Sequence, residues 1–229
     1  MRGEPLICVT IGWNREKLIS LDAEARARGA DLVEYRLDTV INSITDISSV
    51  KINPKGSILT FRPKPQGGYI DLPYEKRLQV LKALLKLKSE YIDIEWDIAR
   101  KYPSIIEESR KIGVKTIISW HFIDSHVTMK EVRTLKTECL KMGDYAKIVF
   151  KSNAVEDLRE VTRLYVEDVS NRRRIIAFTT GKYSMQSRII AYLLGMPILY
   201  SYLEKPFAEG QPSIEEAKEI VRGIGKWLL

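Results

Sequence analysis

Along the chain, short apolar or β-branched runs alternate with longer stretches whose apolar positions recur at helical spacing, and the alternation repeats about eight times. The runs predict strands at 6–12, 31–37, 57–61, 91–96, 114–120, 145–150, 174–179 and 197–200. Between them the spacing predicts helices, clearest at 15–28, 74–88, 98–111, 128–141, 154–167, 184–194 and 213–228. Gly29 and Gly113 act as stop signals, and Ser213 with Glu216 forms a capping-box pattern at the start of the last helix. Strands separated by helices pair in parallel. Eight such units in 229 residues predict a (β/α)8 TIM barrel rather than an open sheet covered on both faces. No run rich in Pro, Gly or Ser divides the chain, so 1–229 reads as one barrel domain.

Strands in such a barrel are covered by helices outside and filled by packed side chains inside, so they should be apolar nearly throughout. Several are not. Between Asp31 and Asp38 the even positions include Glu34 and Arg36, while the odd positions are Val33, Tyr35 and Leu37. Alternation puts Glu34 and Arg36 on one face, the lumen if the apolar face meets the helices. That face could instead meet water, or the two charges could satisfy each other. Arg62 ends the third strand, Asp93 and Glu95 share a face of the fourth, His121 closes the fifth, and Lys147 sits inside the sixth. Carboxyl ends of barrel strands build active sites, so charges on five strands favour one cavity over five separate exceptions.

Lys147 is the most informative of these, because Tyr145-Ala-Lys-Ile-Val-Phe150 places it within an otherwise uncharged run. Burying an ammonium without purpose is costly. A lysine must lose its proton before it attacks a carbonyl, and a dry strand interior with cations nearby favours the neutral amine. Lys151, expected just past the strand and more exposed, is the rival nucleophile; a structural Lys147 paired with Glu34 or Asp93 is the alternative. His121, one strand away, suits proton transfer. The other histidine, His126, follows five residues later in an expected loop, and with no nearby Cys or HExxH pattern a zinc site is not expected.

Composition narrows the classes. Hydrophobic residues form 45% of the chain and charged residues 29%, as in ordinary folded domains. No apolar run reaches the roughly 18 residues needed to span a bilayer, and the apolar start from Leu6 to Ile11 lacks a signal-cleavage pattern, so the chain reads as cytosolic with no membrane partner. Cys8 and Cys139 are too few and dispersed for a disulfide framework and read as small core residues. The net charge of +7 could serve nucleic acid, but only Arg172, Arg173 and Arg174 cluster tightly, and no aromatic residues interleave with the basic ones. A small anionic substrate fits better. Gly181-Lys182-Tyr183-Ser184 resembles the end of a phosphate loop but lacks its first glycine, with Ile176 in that place.

Taken in order, Glu34-Tyr-Arg36-Leu-Asp38, Thr60-Phe-Arg62 before Gly67-Gly68, Ser119-Trp-His121-Phe, Ala146-Lys147, Ser187-Arg188 and Gly210-Gln211 resemble the successive motifs of type I 3-dehydroquinate dehydratases. The resemblance spans nearly the whole chain and implies a (β/α)8 barrel, a cofactor-free step of the shikimate pathway and a homodimer. It also implies a Schiff base between Lys147 and the ring ketone of 3-dehydroquinate, with His121 moving protons. Arg188 would bind the substrate carboxylate, and Glu34, Arg36, Arg62 and Gln211 would hold its hydroxyl and carboxylate groups. Two departures stand out. Gln66 occupies the place of a glutamate thought to orient the histidine, which predicts a lower pKa for His121 and a rate profile displaced toward acid. Phe207 replaces a common substrate-binding serine, and Thr180 a methionine beside the lysine. A class I aldolase is the nearest alternative, though no glycine-rich phosphate cradle is found near the last two strands; a basic nucleic-acid-binding domain is the non-enzyme alternative.

Overall fold

The computed structural model describes residues 5–41, 44–123 and 127–228; His126 lies outside them. Eight strands follow in chain order: β1 (Leu6–Ile11), β2 (Leu32–Arg36), β3 (Ser57–Thr60), β4 (Tyr91–Glu95), β5 (Lys115–Phe122), β6 (Tyr145–Ser152), β7 (Ile175–Gly181) and β8 (Ile198–Tyr202). Every ladder is parallel, in the order β7-β6-β5-β4-β3-β2-β1-β8, which closes the sheet into a (β/α)8 barrel except at the seam between β7 and β8. The helices are α1 (Leu18–Ala27), α2 (Tyr74–Leu85), α3 (Trp96–Lys101), α4 (Ser104–Lys111), α5 (Met129–Met142), α6 (Glu156–Val166), α7 (Ser184–Leu194) and α8 (Ile214–Leu228). Short 3-10 turns, rather than an α-helix, carry the chain from β2 to β3.

All eight expected strands form, because the alternation of strand and helix patterns leaves the register little freedom. One face of each strand is apolar and sealed by helices: Val9, Val33, Leu59, Ile92, Ile118, Ile148, Ala177 and Leu199 are all fully buried. Cys8 and Cys139 are free thiols within the same core. The stop signals hold, with Gly29 and Gly113 in the left-handed region. So does the capping box, in which the Ser213 N–H donates to Glu216 and the Glu216 N–H donates to the Ser213 hydroxyl.

The helix expected over 98–111 is two helices. Pro103 lacks an N–H and its ring crowds the carbonyl four residues back, so α3 ends at Lys101 and α4 starts anew at Ser104. Several strand ends also move by one or two residues, two of them at the site. β3 stops at Thr60, leaving Arg62 in the loop beyond it, and β6 runs on to Ser152, so Lys151 is an exposed strand residue rather than one past the end. Of the basic cluster, Arg174 is structural: its guanidinium donates to the carbonyls of Leu140, Gly143 and Asp144. Among the described residues no helix is long and apolar enough to cross a membrane.

Candidate active site

A cavity of about 300 Å³ opens at the carboxyl ends of the strands, and all eight residues singled out for the site line it: Glu34, Arg36, Arg62, Gln66, His121, Lys147, Arg188 and Gln211. Strand alternation explains the convergence. Lys147, Val149 and Lys151 are successive members of one face of β6 and all reach the cavity.

Lys147 is buried, 4% exposed. Its Nζ lies 3.4 Å from Glu34 Oε1 and 3.5 Å from Asp93 Oδ2, and 4.0 Å from the centroid of the Tyr200 ring. The pairing that would satisfy a structural lysine is therefore present, but in a cavity wall rather than in solid core. Glu34 is held in turn by the hydroxyls of Thr10, at 2.9 Å, and Thr60, at 2.8 Å. Burial alone would raise the Glu34 carboxyl, but Lys147 and Arg36 outweigh it and hold it below the usual range.

Glu34 and Arg36 do not satisfy each other. Arg36 forms a bidentate pair with Asp38, both contacts at 2.8 Å, because the turn after β2 swings Asp38 back over the guanidinium. Arg62 is almost fully buried and fourfold engaged: its main-chain N–H donates to Asp38, and its guanidinium donates to Asp93 at 2.8 Å, Ser119 at 2.9 Å and Gln66 at 3.2 Å. Asp93, which also accepts from the Ser119 hydroxyl, thus links Arg62 to Lys147.

His121 sits near the end of β5. Burial first, then the cations Arg62, Lys147 and Arg36, push its imidazole well below the ordinary histidine value. Its Nε2 is buried with no hydrogen-bond partner among the described residues. Gln66, the expected orienting residue, accepts from the main-chain N–H of His121 at 3.3 Å, a contact that fixes the strand end rather than the ring. The glycines after it shape this loop: Gly67 has φ +83, and a Cβ on Gly68 would strike the Arg62 carbonyl.

Arg188, on α7, is 1% exposed, and burial pushes it down to about 9, still cationic at neutral pH. Its Cζ lies 3.8 Å from the Phe178 ring centroid, and Nε and Nη1 have no hydrogen-bond partner among the described residues. Gln211 is committed within the protein: its amide donates to Thr10 Oγ1 at 3.1 Å and the Ser201 carbonyl at 2.9 Å, while its oxygen accepts the Phe207 N–H at 2.8 Å. It ties the loop after β8 to β1, a bracing contact that a substrate would have to share or replace. Phe207 covers the cavity from that loop, stacked on Trp13 at 5.2 Å and touched by Arg36. Thr180 lines the wall near Lys151. Thr10, Phe178 and Tyr200 belong to the site too, but in the sequence they read as ordinary β-branched or aromatic strand residues.

The arrangement sets a buried lysine amine, an imidazole held well below its ordinary pKa and a guanidinium with unpartnered nitrogens around one concave, mostly cationic surface. Such a surface suits a small carboxylate-bearing carbonyl compound. Among the described residues no cluster of His, Cys, Asp and Glu is arranged to hold a metal ion.

The comparisons agree with that geometry. The family model described as type I 3-dehydroquinase matches residues 7–226. A 3-dehydroquinate dehydratase from Hydrogenobaculum sp. (strain Y04AAS1) is 34% identical over 199 residues, covering 83% of this chain and 87% of that protein. One from Aquifex aeolicus (strain VF5) is 31% identical over 202 residues, covering 86% of this chain and 89% of that protein. The crystal structure of the 3-dehydroquinate dehydratase from Aquifex aeolicus VF5 superposes with a TM-score of 0.76 at 27% identity, covering 95% of this chain and 98% of that one. That from Geobacillus kaustophilus HTA426 shares the fold with a TM-score of 0.85 at 18% identity, covering 98% of this chain and 92% of that one.

Proposed function

The chain belongs to the type I 3-dehydroquinase family, a family of hydro-lyases, and on that premise we propose that it converts 3-dehydroquinate to 3-dehydroshikimate through an imine on Lys147, as a step of the shikimate pathway. The observation that carries this reading is the buried Lys147 amine in the cavity wall, with His121 and Arg188 facing the same space.

In this reading the Lys147 amine attacks the ring ketone once its proton has left, and loss of water leaves a protonated imine. The imine accepts the electron pair released when His121 removes a proton from the adjacent carbon. The resulting enamine expels the hydroxyl at the next carbon, which leaves as water with the proton that His121 carries. Water then hydrolyses the imine and frees the amine. A histidine held neutral by burial and neighbouring cations is suited to begin this sequence as a base. Arg188 meets the substrate carboxylate with its two unpartnered nitrogens, and Arg62 and Arg36 add positive potential. The substrate is a small molecule and the chemistry uses no cofactor. The resemblance also assigns a cytoplasmic homodimer.

The test is direct. Incubation with 3-dehydroquinate should generate the ultraviolet absorbance of a conjugated enone, and Lys147→Ala should lose nearly all of that turnover while still binding the substrate. Turnover by the alanine variant within tenfold of the native chain would refute the assignment.

A further inference from the structure

Tyr200, on β8, lies beside the reacting amine, yet nothing in the sequence marks it out. It is 3% exposed, it lines the cavity, and its ring supports Lys147, whose Nζ is 4.0 Å from the centroid. A ring in that position is ordinary barrel packing. The hydroxyl is not, because it is buried with no hydrogen-bond partner among the described residues. Native interiors satisfy nearly all such groups, so an orphaned one requires an explanation.

Among the described residues, three cavity-lining side chains carry a buried polar atom in this state. They are His121 through Nε2, Arg188 through Nε and Nη1, and Tyr200 through its hydroxyl. The first two are the groups proposed to touch the substrate, and Tyr200 shares their signature. The geometry points to Tyr200 as a further catalytic residue, its hydroxyl donating a hydrogen bond to the ketone oxygen while Lys147 attacks the carbon. This assignment rests on the Schiff-base reading above.

In that step the amine lone pair forms the C–N bond as the C=O pair moves onto oxygen. The nitrogen releases a proton to neutral His121, which returns it to the oxygen and leaves a carbinolamine. Expulsion of that oxygen as water takes up one proton, the one the lysine ammonium shed before the attack, and leaves the protonated imine. Tyr200 transfers no proton. It stabilises the charge that develops on oxygen, from a position buried in the cavity wall. Burial, then Glu34, keep the hydroxyl well above its ordinary pKa, so it remains a donor throughout.

Tyr200→Phe tests this, since it retains the ring under Lys147 and removes one oxygen. Mixing the protein with 3-dehydroquinate, quenching with borohydride at short times and quantifying the adduct at Lys147 gives the rate of imine formation. The variant should form the adduct on the order of 10- to 100-fold more slowly, with KM changed by less than about threefold. Its melting temperature should equal or exceed that of the native chain, because an unsatisfied buried hydroxyl has gone. An unchanged rate of adduct formation overturns the role of Tyr200, as does a slower rate that merely follows a lost melting temperature. Absence of any Lys147 adduct in the native chain overturns the imine reading itself, so the two failures are distinguishable.

Discussion

Replacing Arg188 with methionine should stabilise the protein in the absence of substrate and nearly abolish its activity. The guanidinium is 1% exposed, and burial brings it down to about 9. The gap from an ordinary arginine, at about 1.4 kcal/mol per pH unit, corresponds to a penalty on the order of 5 kcal/mol for the buried cation. Stacking on Phe178, with Cζ at 3.8 Å from the ring centroid, returns about 2 kcal/mol. Methionine has similar length and no charge, and exchanging buried charges for apolar side chains of similar volume is often stabilising. A net gain of up to about 3 kcal/mol is then worth, at roughly 2–4 °C per kcal/mol for a chain of this size, at most about 12 °C in melting temperature. Turnover moves the other way. Losing two charge-assisted hydrogen bonds to the substrate carboxylate, at about 1.5–3 kcal/mol each, should lower kcat/KM by roughly 10²–10⁴. Thermal melts without substrate and steady-state kinetics on the same preparation measure both. A melting temperature lowered by more than about 3 °C would mean that Arg188 is structural, and kcat/KM within tenfold of native would mean that it does not hold the carboxylate.

The pH dependence follows from His121. Its folded-state value lies well below the ordinary 6.5, so the base stays neutral into acid and the acidic limb of kcat/KM should fall below about pH 6.5. Over the same range the unfolded chain binds a proton that the fold refuses, so stability should fall as pH drops below about 6.5, and His121→Gln should flatten that slope. Gln66→Glu places a carboxylate against the His121 main chain and Arg62 and should move the kinetic limb upward; a native limb at or above 6.5 contradicts both statements. Glu95 offers a second titration: burial pushes it up to about 7 despite Arg77 at 3.4 Å. A carboxyl raised in the fold contributes stability that is fully present below about 4.5 and lost as pH rises through about 7, so Glu95→Gln should raise the melting temperature at pH 8, by up to about 3 kcal/mol in equivalent stability, and leave it nearly unchanged at pH 4. Equal melting shifts at the two pH values would rule out this titration.

The barrel was legible because the two periods, near two for strands and near 3.6 for helices, alternate cleanly, and the site because Glu34 and Lys147 inside strands and His121 near a strand end break the expected apolar pattern. The helix break at Pro103 was equally visible as a residue, but the periodicity on either side of it masked the consequence. Partner choice was legible only in part: Glu34 and Asp93 read as partners of Lys147 and both lie beside it, but the pairing of Arg36 was not. Glu34 looks like a local partner for Arg36, yet the turn after β2 gives Arg36 to Asp38 and leaves Glu34 to reach Lys147 across the lumen, 113 positions away. Gln66 was placed near His121 by the resemblance, but the atom it meets, a main-chain N–H, depends on loop geometry that spacing does not encode. Gln211 proved to be engaged by β1 and β8, because Thr10 and Ser201 come within reach only once the barrel closes. Tyr200 and Phe178 escaped notice since an aromatic residue in an apolar run is ordinarily core.

The central claim is that Lys147, and not Lys151, forms the covalent bond to the substrate. Both line the same cavity from one strand, one buried against Glu34 and Asp93 and the other exposed on the rim. Borohydride reduction of the native protein in the presence of 3-dehydroquinate, followed by proteolysis and mass spectrometry, reads the site directly. The peptide should carry the reduced substrate on Lys147, with Lys151→Ala labelled to the same extent and Lys147→Ala not labelled at all. Label on Lys151, or no label on the native chain, would contradict the claim.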